Sequence, residues 1–213
     1  MPLPKQTLHS PPLRASWRGA SRVTEKYRSE PFDSERHDAR DFSCGVESLD
    51  VWLREHAGTA TTRGTARTWV WVDADGRVVG YYALAAHKVA REQVPARVGR
   101  GGPVEIPAVL LARLALSIHL RGSGLGSLLV ADALERVVHA TQTVGARLVV
   151  VDALSEKVAQ FCEGLGFRRV PDSLLLVQRV SDVAAALAVD QQVSTPLDHR
   201  EVAELIHAFS NSR

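Results

Sequence analysis

A long apolar run meets a glycine-rich turn in the middle of the chain. The run, residues 107–120, reads PAVLLARLALSIHL and is followed by RGSGLG, Arg121 to Gly126. Such a run is typical of a strand buried on both faces of a sheet, and the apolar spacing after the glycines is that of an amphipathic helix. A helix that begins at such a turn leaves its first N–H groups without partners, so they can hold an anion. The sequence therefore predicts an anion site at this turn.

A helix and a strand hairpin are predicted before the turn. Apolar side chains recur with helical spacing in residues 47–57. The segments RTWVWV and RVVGYYALA flank DADG, whose Asp75-Gly76 pair is typical of a hairpin turn. In the second strand Tyr81 and Tyr82 point to opposite faces, and we expect one in the core and the other beside a cleft. Residues 87–107, rich in proline and glycine, are predicted to form a loop.

A long helix, a buried strand, a short helix and a second hairpin are predicted after the turn. The long helix is expected to end at a cap formed by Gly145. ARLVVVDA predicts the buried strand, Ser155 opens the short helix, and RRV and LLLVQRV predict the hairpin. The predicted apolar face of the long helix consists of Val130, Ala133, Leu134, Val137, Val138 and Thr141.

Composition indicates one packed domain with an extension at each end. The chain has 213 residues, of which 45% are hydrophobic and 23% charged, as in ordinary soluble globular proteins. Residues 1–30, rich in proline, serine and arginine, are predicted to be disordered, and residues 31–180 to form the domain. Residues 181–213 are predicted to add a helical extension. Its apolar stripe consists of Val202, Leu205, Ile206 and Phe209.

Several classes of protein are disfavoured by what the sequence lacks. No run approaches the ~18 apolar residues that cross a bilayer. The two cysteines, Cys44 and Cys162, form neither a CxxC motif nor a Cys/His metal pattern. We therefore expect no membrane segment, no metal and a cytoplasmic location, with Cys44 as a small buried hydrophobic residue.

Basic residues give a slight preference for a phosphate-bearing partner. The net charge is only +2, but 22 of the 26 basic residues are arginine, which binds phosphate through two N–H groups. Codon bias explains this usage equally well. The cations of the predicted 87–107 loop are candidate contacts to a nucleic-acid backbone, and the alternative is a solvated loop. These cations are Lys88, Arg91, Arg97 and Arg100.

The glycine turn does not fit two familiar nucleotide-binding loops. A P-loop needs a Gly-Lys-Ser/Thr ending that the turn lacks, and a dinucleotide-binding GxGxxG needs a third glycine where Ser127 or Leu129 stands. The pattern Arg/Gln-x-x-Gly-x-Gly/Ala does fit, at Arg121, Gly124 and Gly126. In this pattern, and in the downstream segment FCEGLGF, the chain resembles the GCN5-related N-acetyltransferases (GNATs).

This resemblance implies an α/β (α+β) fold with a mixed central sheet flanked by helices on both faces. It also implies that the turn holds the pyrophosphate of acetyl-CoA, while the strand around LARLALS pairs its backbone with the pantetheine arm. The residues implied to bind acetyl-CoA are Leu114, Ala115, Leu116, Arg121, Gly122, Ser123, Gly124, Leu125, Gly126 and Ser127.

A narrower resemblance covers about residues 32–180. The segments FSCGVESLDVWL, ARTWVWV, IPAVLLARLAL, GSGLGSLL and VVDALSEKVAQFCEGLGF are similar to those of the acetyltransferase toxins of type II toxin–antitoxin pairs. Membership would imply acetylation of the α-amino group of an aminoacyl-tRNA, which blocks translation. It would also imply a ribbon-helix-helix antitoxin and a homodimer. Arg67 is carried over as a possible substrate contact.

Cys162 departs from the pattern of that family, in which a tyrosine protonates the leaving thiolate. A thiol can serve as the acid, although it is shorter than a phenol. The alternatives are an acyl-cysteine intermediate assisted by His119, or a small apolar residue that leaves the proton to water. Asp152, at the end of RLVVVD, is a candidate base or amine-binding group, or else caps the next helix.

Two further functions stay open at this point. One is an acetyltransferase that acts on a small-molecule or protein amine. The other is a catalytically impaired protein that binds acetyl-CoA or mainly binds its antitoxin, a possibility raised by Cys162.

Overall fold

The computed structural model describes residues 26–194. Residues 1–25 of the extension that we predicted to be disordered (residues 1–30), and the apolar stripe predicted beyond residue 194, lie outside the described residues. Strand β1 (Arg28–Pro31) straddles the boundary that we placed at residue 30. The division of the chain into a domain and two extensions stays a prediction.

The centre of the protein is a seven-stranded sheet with the order β1-β2-β3-β4-β5-β7-β6. Neighbouring strands are antiparallel except β4 and β5, which are parallel. The remaining strands are β2 (Arg67–Val72), β3 (Val78–Ala90), β4 (Glu105–Leu116), β5 (Leu148–Asp152), β6 (Arg168–Arg169) and β7 (Leu175–Arg179). The predicted mixed sheet is confirmed.

Helices cover both faces of this sheet, as predicted. Helix α1 has three consecutive segments, an α-helical Glu47–Val51, a π-helical Trp52–His56 and an α-helical Ala57–Thr62. The others are α2 (Ala96–Gly99), α3 (Leu125–Thr141), α4 (Glu156–Gly164) and α5 (Val180–Ser194). Buried residues of α3, α4 and α5 pack in one cluster, and buried residues of α1 pack in a second.

The two adjacent tyrosines of β3 show how the faces are divided. Tyr82 lies in the cluster with α3, whereas Tyr81 lies in the cluster with α1. Both side chains are fully buried, so the expectation that one lines an open cleft is wrong. Each hydroxyl has a partner: Tyr81 donates to the Leu49 carbonyl at 2.8 Å, and Tyr82 accepts from Arg136 at 2.8 Å. Burial raises the pKa of both phenols.

The predicted turn between β2 and β3 is confirmed. The Asp73 carboxylate accepts the backbone N–H groups of Asp75 and Arg77 at 3.0 and 2.9 Å. Gly76 has φ 79°, a conformation that glycine adopts without steric cost.

Three local predictions are corrected. Residues 87–107 are not all loop, because β3 continues to Ala90 and β4 begins at Glu105, which places Lys88 in a strand. Strand β4 is not buried on both faces, since exposed and half-buried residues alternate with buried ones along it. Helix α3 ends at Thr141 with Gln142 as its cap, and Gly145 does not have positive φ.

A polar network joins the edge strand β1 to helix α3. The Asp132 carboxylate accepts from the Trp71 indole at 2.7 Å and from the Ser29 hydroxyl at 2.5 Å. Arg136, one turn later, donates to Ser29 at 3.1 Å and stacks over Trp69, 3.4 Å from the ring centroid. Trp71 is buried and Trp69 packs against the cluster that includes α3, so both tryptophans are part of the packing.

Replacing Asp132 tests how much this network stabilises the fold. Asp132→Ala leaves the largely buried Trp71 indole without its acceptor, so we expect the free energy of unfolding to fall by about 1–3 kcal/mol. Urea denaturation measures the change. Asp182→Ala, which removes an exposed partner of Arg179, is the matched control and should cost about 0–1 kcal/mol. Equal losses in the two variants would contradict the argument.

Candidate functional site

A cleft opens where two parallel strands separate. Pairing between β4 and β5 runs from Ala108–Leu148 to Leu111–Val151, after which β4 continues to Leu116 while β5 ends at Asp152. The cleft between them has a volume of about 450 Å³ and is also lined by the start of α1 and by α4. Backbone groups at the end of β4 that would pair with a neighbouring strand face this cleft instead. Such a strand end can pair with an extended ligand.

The cleft unites several residues predicted to act together. Those that line it are Leu114, Ala115, Leu116, Arg121, Asp152 and Cys162. The remaining predicted residues follow Arg121: Gly122 and Ser123 lie in the turn, Gly124 is the N-cap, and Leu125, Gly126 and Ser127 form the first turn of α3. A Cβ added at Gly126 would lie 3.8 Å from Phe161 of the cleft wall, so the turn adjoins the cleft.

The start of α3 has the features of an anion site. Gly124, the N-cap, has φ 80° and provides no side-chain cap, and the first turn contains no acidic residue. Gly122 also has positive φ, 77°, and a Cβ added at either glycine would meet nothing within 4 Å. The backbone conformation therefore favours glycine here, and open space lies in front of it. Uncapped N–H groups at the positive end of the helix dipole can hold a phosphate.

Arg121 connects the glycine turn to the cleft wall formed by Cys44 and the start of α1. Its guanidinium donates to the carbonyl of Cys44, just before α1. The backbone N–H of Cys44 donates to the buried Asp50 carboxylate at 2.8 Å. Cys44 is itself buried, as predicted. These contacts hold the start of α1 against the glycine turn.

Cys162 lies in the last turn of α4 and is 5% exposed. Burial, with a smaller contribution from the Glu163 carboxylate, raises the pKa of its thiol to about 11. The thiol is therefore protonated at neutral pH, which disfavours a thiolate nucleophile. It carries a proton to donate but is a weaker acid than a free thiol. His119, the residue needed for an acyl-cysteine intermediate, lies in a 3-10 turn and does not line the cleft.

Asp152 is exposed at the end of β5 and lines the cleft. Helix α4 is capped instead by Ser155, whose hydroxyl accepts the Val158 N–H at 3.4 Å. The Asp152 side chain has no hydrogen-bond or salt-bridge partner among the described residues. A carboxylate in this position can bind an ammonium group or accept its proton.

The predicted cationic contacts lie away from the cleft. Lys88 forms an ion pair with Glu105 at 2.6 Å, and Arg91 donates to the Gly102 carbonyl at 3.0 Å. Arg97 is an exposed residue of α2, and Arg100 follows that helix. Arg67 donates to the Thr61 carbonyl and lines a separate groove of about 790 Å³ beside α3 and α5.

Sequence reasoning missed the apolar wall of the cleft. Leu154, Val158 and Phe161 are 67%, 39% and 41% exposed, and all three line the cleft. Leu154 precedes the Ser155 cap, and Val158 and Phe161, three residues apart in α4, form an exposed stripe that the buried residues Ala159 and Cys162 do not share. That second stripe is the signal that would have found them.

Neither a metal site nor a membrane span is evident in the part of the chain that the structure describes. Residues 26–194 contain no group of three or more His, Cys, Asp or Glu residues placed to hold a metal. No helix among them has the length and apolar character needed to cross a bilayer.

Comparison with known proteins finds similar toxins, although no family model matches the chain. The tRNA-acetylating toxin of Mycobacterium tuberculosis (strain ATCC 25618 / H37Rv) is 39% identical over 155 residues, which is 72% of this chain and 93% of that protein. The probable toxin TacT of Sinorhizobium fredii (strain NBRC 101917 / NGR234) is 30% identical over 153 residues, 67% of this chain and 84% of that protein.

Solved toxin structures share the fold. A Tyr-to-Phe variant of KacT has a TM-score of 0.71 and 29% identity, covering 75% of this chain and 98% of that chain. AtaT complexed with acetyl-methionyl-tRNAfMet has a TM-score of 0.70 and 27% identity, covering 76% of this chain and 99% of that chain.

The raised pKa of Cys162 predicts how the thiol reacts. In the folded protein its alkylation by iodoacetamide should rise about tenfold per pH unit up to about pH 10, because the rate follows the thiolate fraction. In urea-unfolded protein the rate should level off above about pH 9. Mass spectrometry of the Cys162 peptide measures both rates, and a plateau below about pH 9 in the folded protein would contradict the burial argument.

Because the pKa of the Cys162 thiol is raised in the folded protein, the free energy of unfolding should also fall as the pH rises above about 9.

Proposed function

Since the chain belongs to the family of acetyltransferase toxins with the GNAT fold, we propose that it acetylates the α-amino group of aminoacyl-tRNA with acetyl-CoA as donor. An acetylated α-amino group can no longer form a peptide bond, so the reaction blocks translation. The observation that carries the proposal is the cleft between β4 and β5, which adjoins the uncapped start of α3.

Acetyl-CoA fits this arrangement as the donor. The pyrophosphate would be held by the N–H groups that begin at Gly124. The pantetheine arm would pair with the edge of β4 around Leu114–Leu116 that β5 leaves open, since the other edge is paired with β3. The apolar wall formed by Leu154, Val158 and Phe161 would cover part of the arm. The solved structure of AtaTR bound with AcCoA, 27% identical to this chain, supports the assignment.

Aminoacyl-tRNA is supported as the acceptor by the complexes of relatives. The structure of AtaT contains acetyl-methionyl-tRNAfMet, and the Mycobacterium tuberculosis relative is named a tRNA-acetylating toxin. In this chain Asp152, exposed in the cleft with no partner among the described residues, would bind the ammonium group and take its extra proton.

Cys162 would supply the last proton of the reaction. The neutral amine attacks the acetyl carbonyl carbon, the C–S bond breaks, and the thiolate of coenzyme A takes the proton of the Cys162 thiol. The amine nitrogen loses its second proton to solvent, from which the Cys162 thiolate is reprotonated. A thiol whose pKa is raised to about 11 is protonated before the step, and the unfavourable transfer to the less basic coenzyme A thiolate is completed by reprotonation of Cys162 from solvent.

An antitoxin partner is supported by the same group of structures. AtaT has been solved bound to the C-terminus of the antitoxin AtaR, and KacTA in complex with DNA. We extend this to an antitoxin of the ribbon-helix-helix type, to a homodimer, and to action in the cytoplasm, where charged tRNA is found.

Acetyl transfer tests the proposed reaction directly. Purified protein with radiolabelled acetyl-CoA and a pool of charged tRNA should place label on the α-amino group. Cys162→Ala should lower kcat at least tenfold, in line with the ~10²–10⁴-fold contribution of general acids, with little change in KM for acetyl-CoA. Toxicity on expression, relieved by a neighbouring gene, is the cellular counterpart.

Other outcomes of this assay would contradict the proposal. Label on a small-molecule or protein amine but on no tRNA would move the acceptor to another class. Acetyl-CoA binding without turnover would indicate a binding protein. Label from a Cys162→Tyr variant alone would show that the scaffold works only with a phenol at this position.

A glycine substitution tests the predicted phosphate site. Gly124→Ala places a Cβ in the left-handed conformation at a cost of about 1–2 kcal/mol. The free turn relieves this strain by leaving that conformation, and binding must restore it, so we expect the Kd for acetyl-CoA to rise about tenfold. Isothermal titration calorimetry measures it. Gly145→Ala is the matched control, because Gly145 lacks positive φ and a Cβ there meets nothing within 4 Å. If both variants bind acetyl-CoA equally well, the turn does not hold the pyrophosphate.

A further inference from the structure

One cation of the cleft is unexplained by the contacts described above. The charged residues that line the cleft are Arg113, Arg121 and Asp152. Arg121 is bonded to the Cys44 carbonyl, whereas Arg113 is exposed and donates only to the carbonyl of its neighbour Ala112, at 2.6 Å. No carboxylate in the described part of the chain pairs with Arg113. Its guanidinium has five N–H donors, so most of them are available to a ligand.

A β-bulge places the Arg113 side chain on the face of the sheet that α1 covers. The register between β3 and β4 shifts at this point, with Ala83 opposite Arg113 and Leu84 opposite Leu111, so that Ala112 is an extra residue. As a result Leu111 and Leu114 both pack with the α3 cluster, and Arg113 lies beside α1. Without the bulge, alternation along the strand would place Arg113 on the same side as Leu111.

Two stacked aromatic rings hold the guanidinium in place. Arg113 lies over the Trp52 ring, 5.8 Å from its centroid, within the range of a cation–π contact. Trp52 stacks in turn on Tyr81, with centroids 5.8 Å apart and an interplanar angle of 11°. Tyr81 is fully buried and anchored to the Leu49 carbonyl. The charge therefore sits on a rigid support at the edge of the cleft.

We propose that Arg113 binds a phosphodiester at the 3′ end of the tRNA acceptor, an inference that rests on the proposed function. An aminoacyl-tRNA carries a cationic amine and, close to it, the anionic linkages of its last nucleotides. The cleft offers the complementary pair, with Asp152 at the end of β5 for the amine and Arg113 on β4 for the phosphate. Arginine suits this contact because its planar N–H groups match two phosphate oxygens.

A phosphate contact through Arg113 would allow the site to select a nucleic-acid acceptor over a free amine. A small amine needs only the carboxylate, and an unpaired guanidinium in the cleft would repel it. The cations of residues 87–107 cannot take this place, because Lys88, Arg91, Arg97 and Arg100 do not line the cleft. Arg113 is thus the residue that makes the site specific for a phosphate-bearing acceptor.

The test combines a protein change with a change in the RNA. Wild type and Arg113→Gln are compared on uncharged tRNA by fluorescence anisotropy over a series of KCl concentrations. Each of the last two phosphodiester linkages is replaced in turn by a neutral methylphosphonate. Arg113→Gln should weaken binding about tenfold and lower the slope of log Kd against log salt by about 0.7, the value for one contact to a single strand.

The two changes should not add if they remove the same contact. One methylphosphonate should weaken wild type about tenfold and leave Arg113→Gln unaffected. Arg113→Lys, which keeps the charge, should retain most of the slope. Arg77→Gln, in the exposed turn between β2 and β3, is the control and should match wild type. The Kd for acetyl-CoA, unchanged in Arg113→Gln, verifies that the variant is folded.

The outcomes distinguish this inference from the proposed function. Additive effects at both linkages, or an unchanged slope in Arg113→Gln, would overturn the phosphate contact even if acetyl transfer to tRNA occurs. Coupled effects without any transfer would uphold the contact and overturn the proposed reaction. A fall in kcat for Arg113→Gln at saturating charged tRNA, with KM unchanged, would place Arg113 at the reacting atoms and overturn the contact as well.

Discussion

Four parallel residue pairs between β4 and β5 join the two parts of the sheet. On one side β1 to β4 form an antiparallel series, and on the other β5, β7 and β6 form a second. Because the pairing stops at Leu111 and Val151, β4 extends past its neighbour and the cleft opens there. The glycine turn, the end of β5 and helix α4 all meet at this point. The site therefore depends on where the hydrogen bonds between two strands end.

Burial and exposure give the charged and ionisable groups of the cleft different roles. The Cys162 thiol is buried and keeps its proton, whereas Asp152 is exposed and keeps access to solvent. Arg121 is fixed by a backbone carbonyl, and Arg113 rests on an aromatic stack with most of its donors unused. One cleft thus combines a buried, protonated thiol, an exposed carboxylate and an exposed guanidinium, without a direct ion pair between the last two.

The family resemblance singled out Cys162, but local sequence patterns were sufficient for strand β4, the glycine turn and helix α3. Apolar periodicity and left-handed glycines encode those features within a few neighbouring residues. Other features depend on distant contacts. Strand β1 is four residues long and is held by Ser29 against Asp132, 103 positions away. Arg113 lies inside an apolar run, and only the bulge at Ala112 decides which way it faces. No local pattern reports either contact.

The position of β5 in the sheet has a consequence for synthesis of the chain. Its inner edge pairs with β4, but its outer edge pairs with β7, which ends at Arg179. A parallel strand with an unpaired edge is poorly held, so the cleft wall becomes stable only after most of the chain has left the ribosome. A nascent chain that stops before β7 therefore lacks a stable cleft wall.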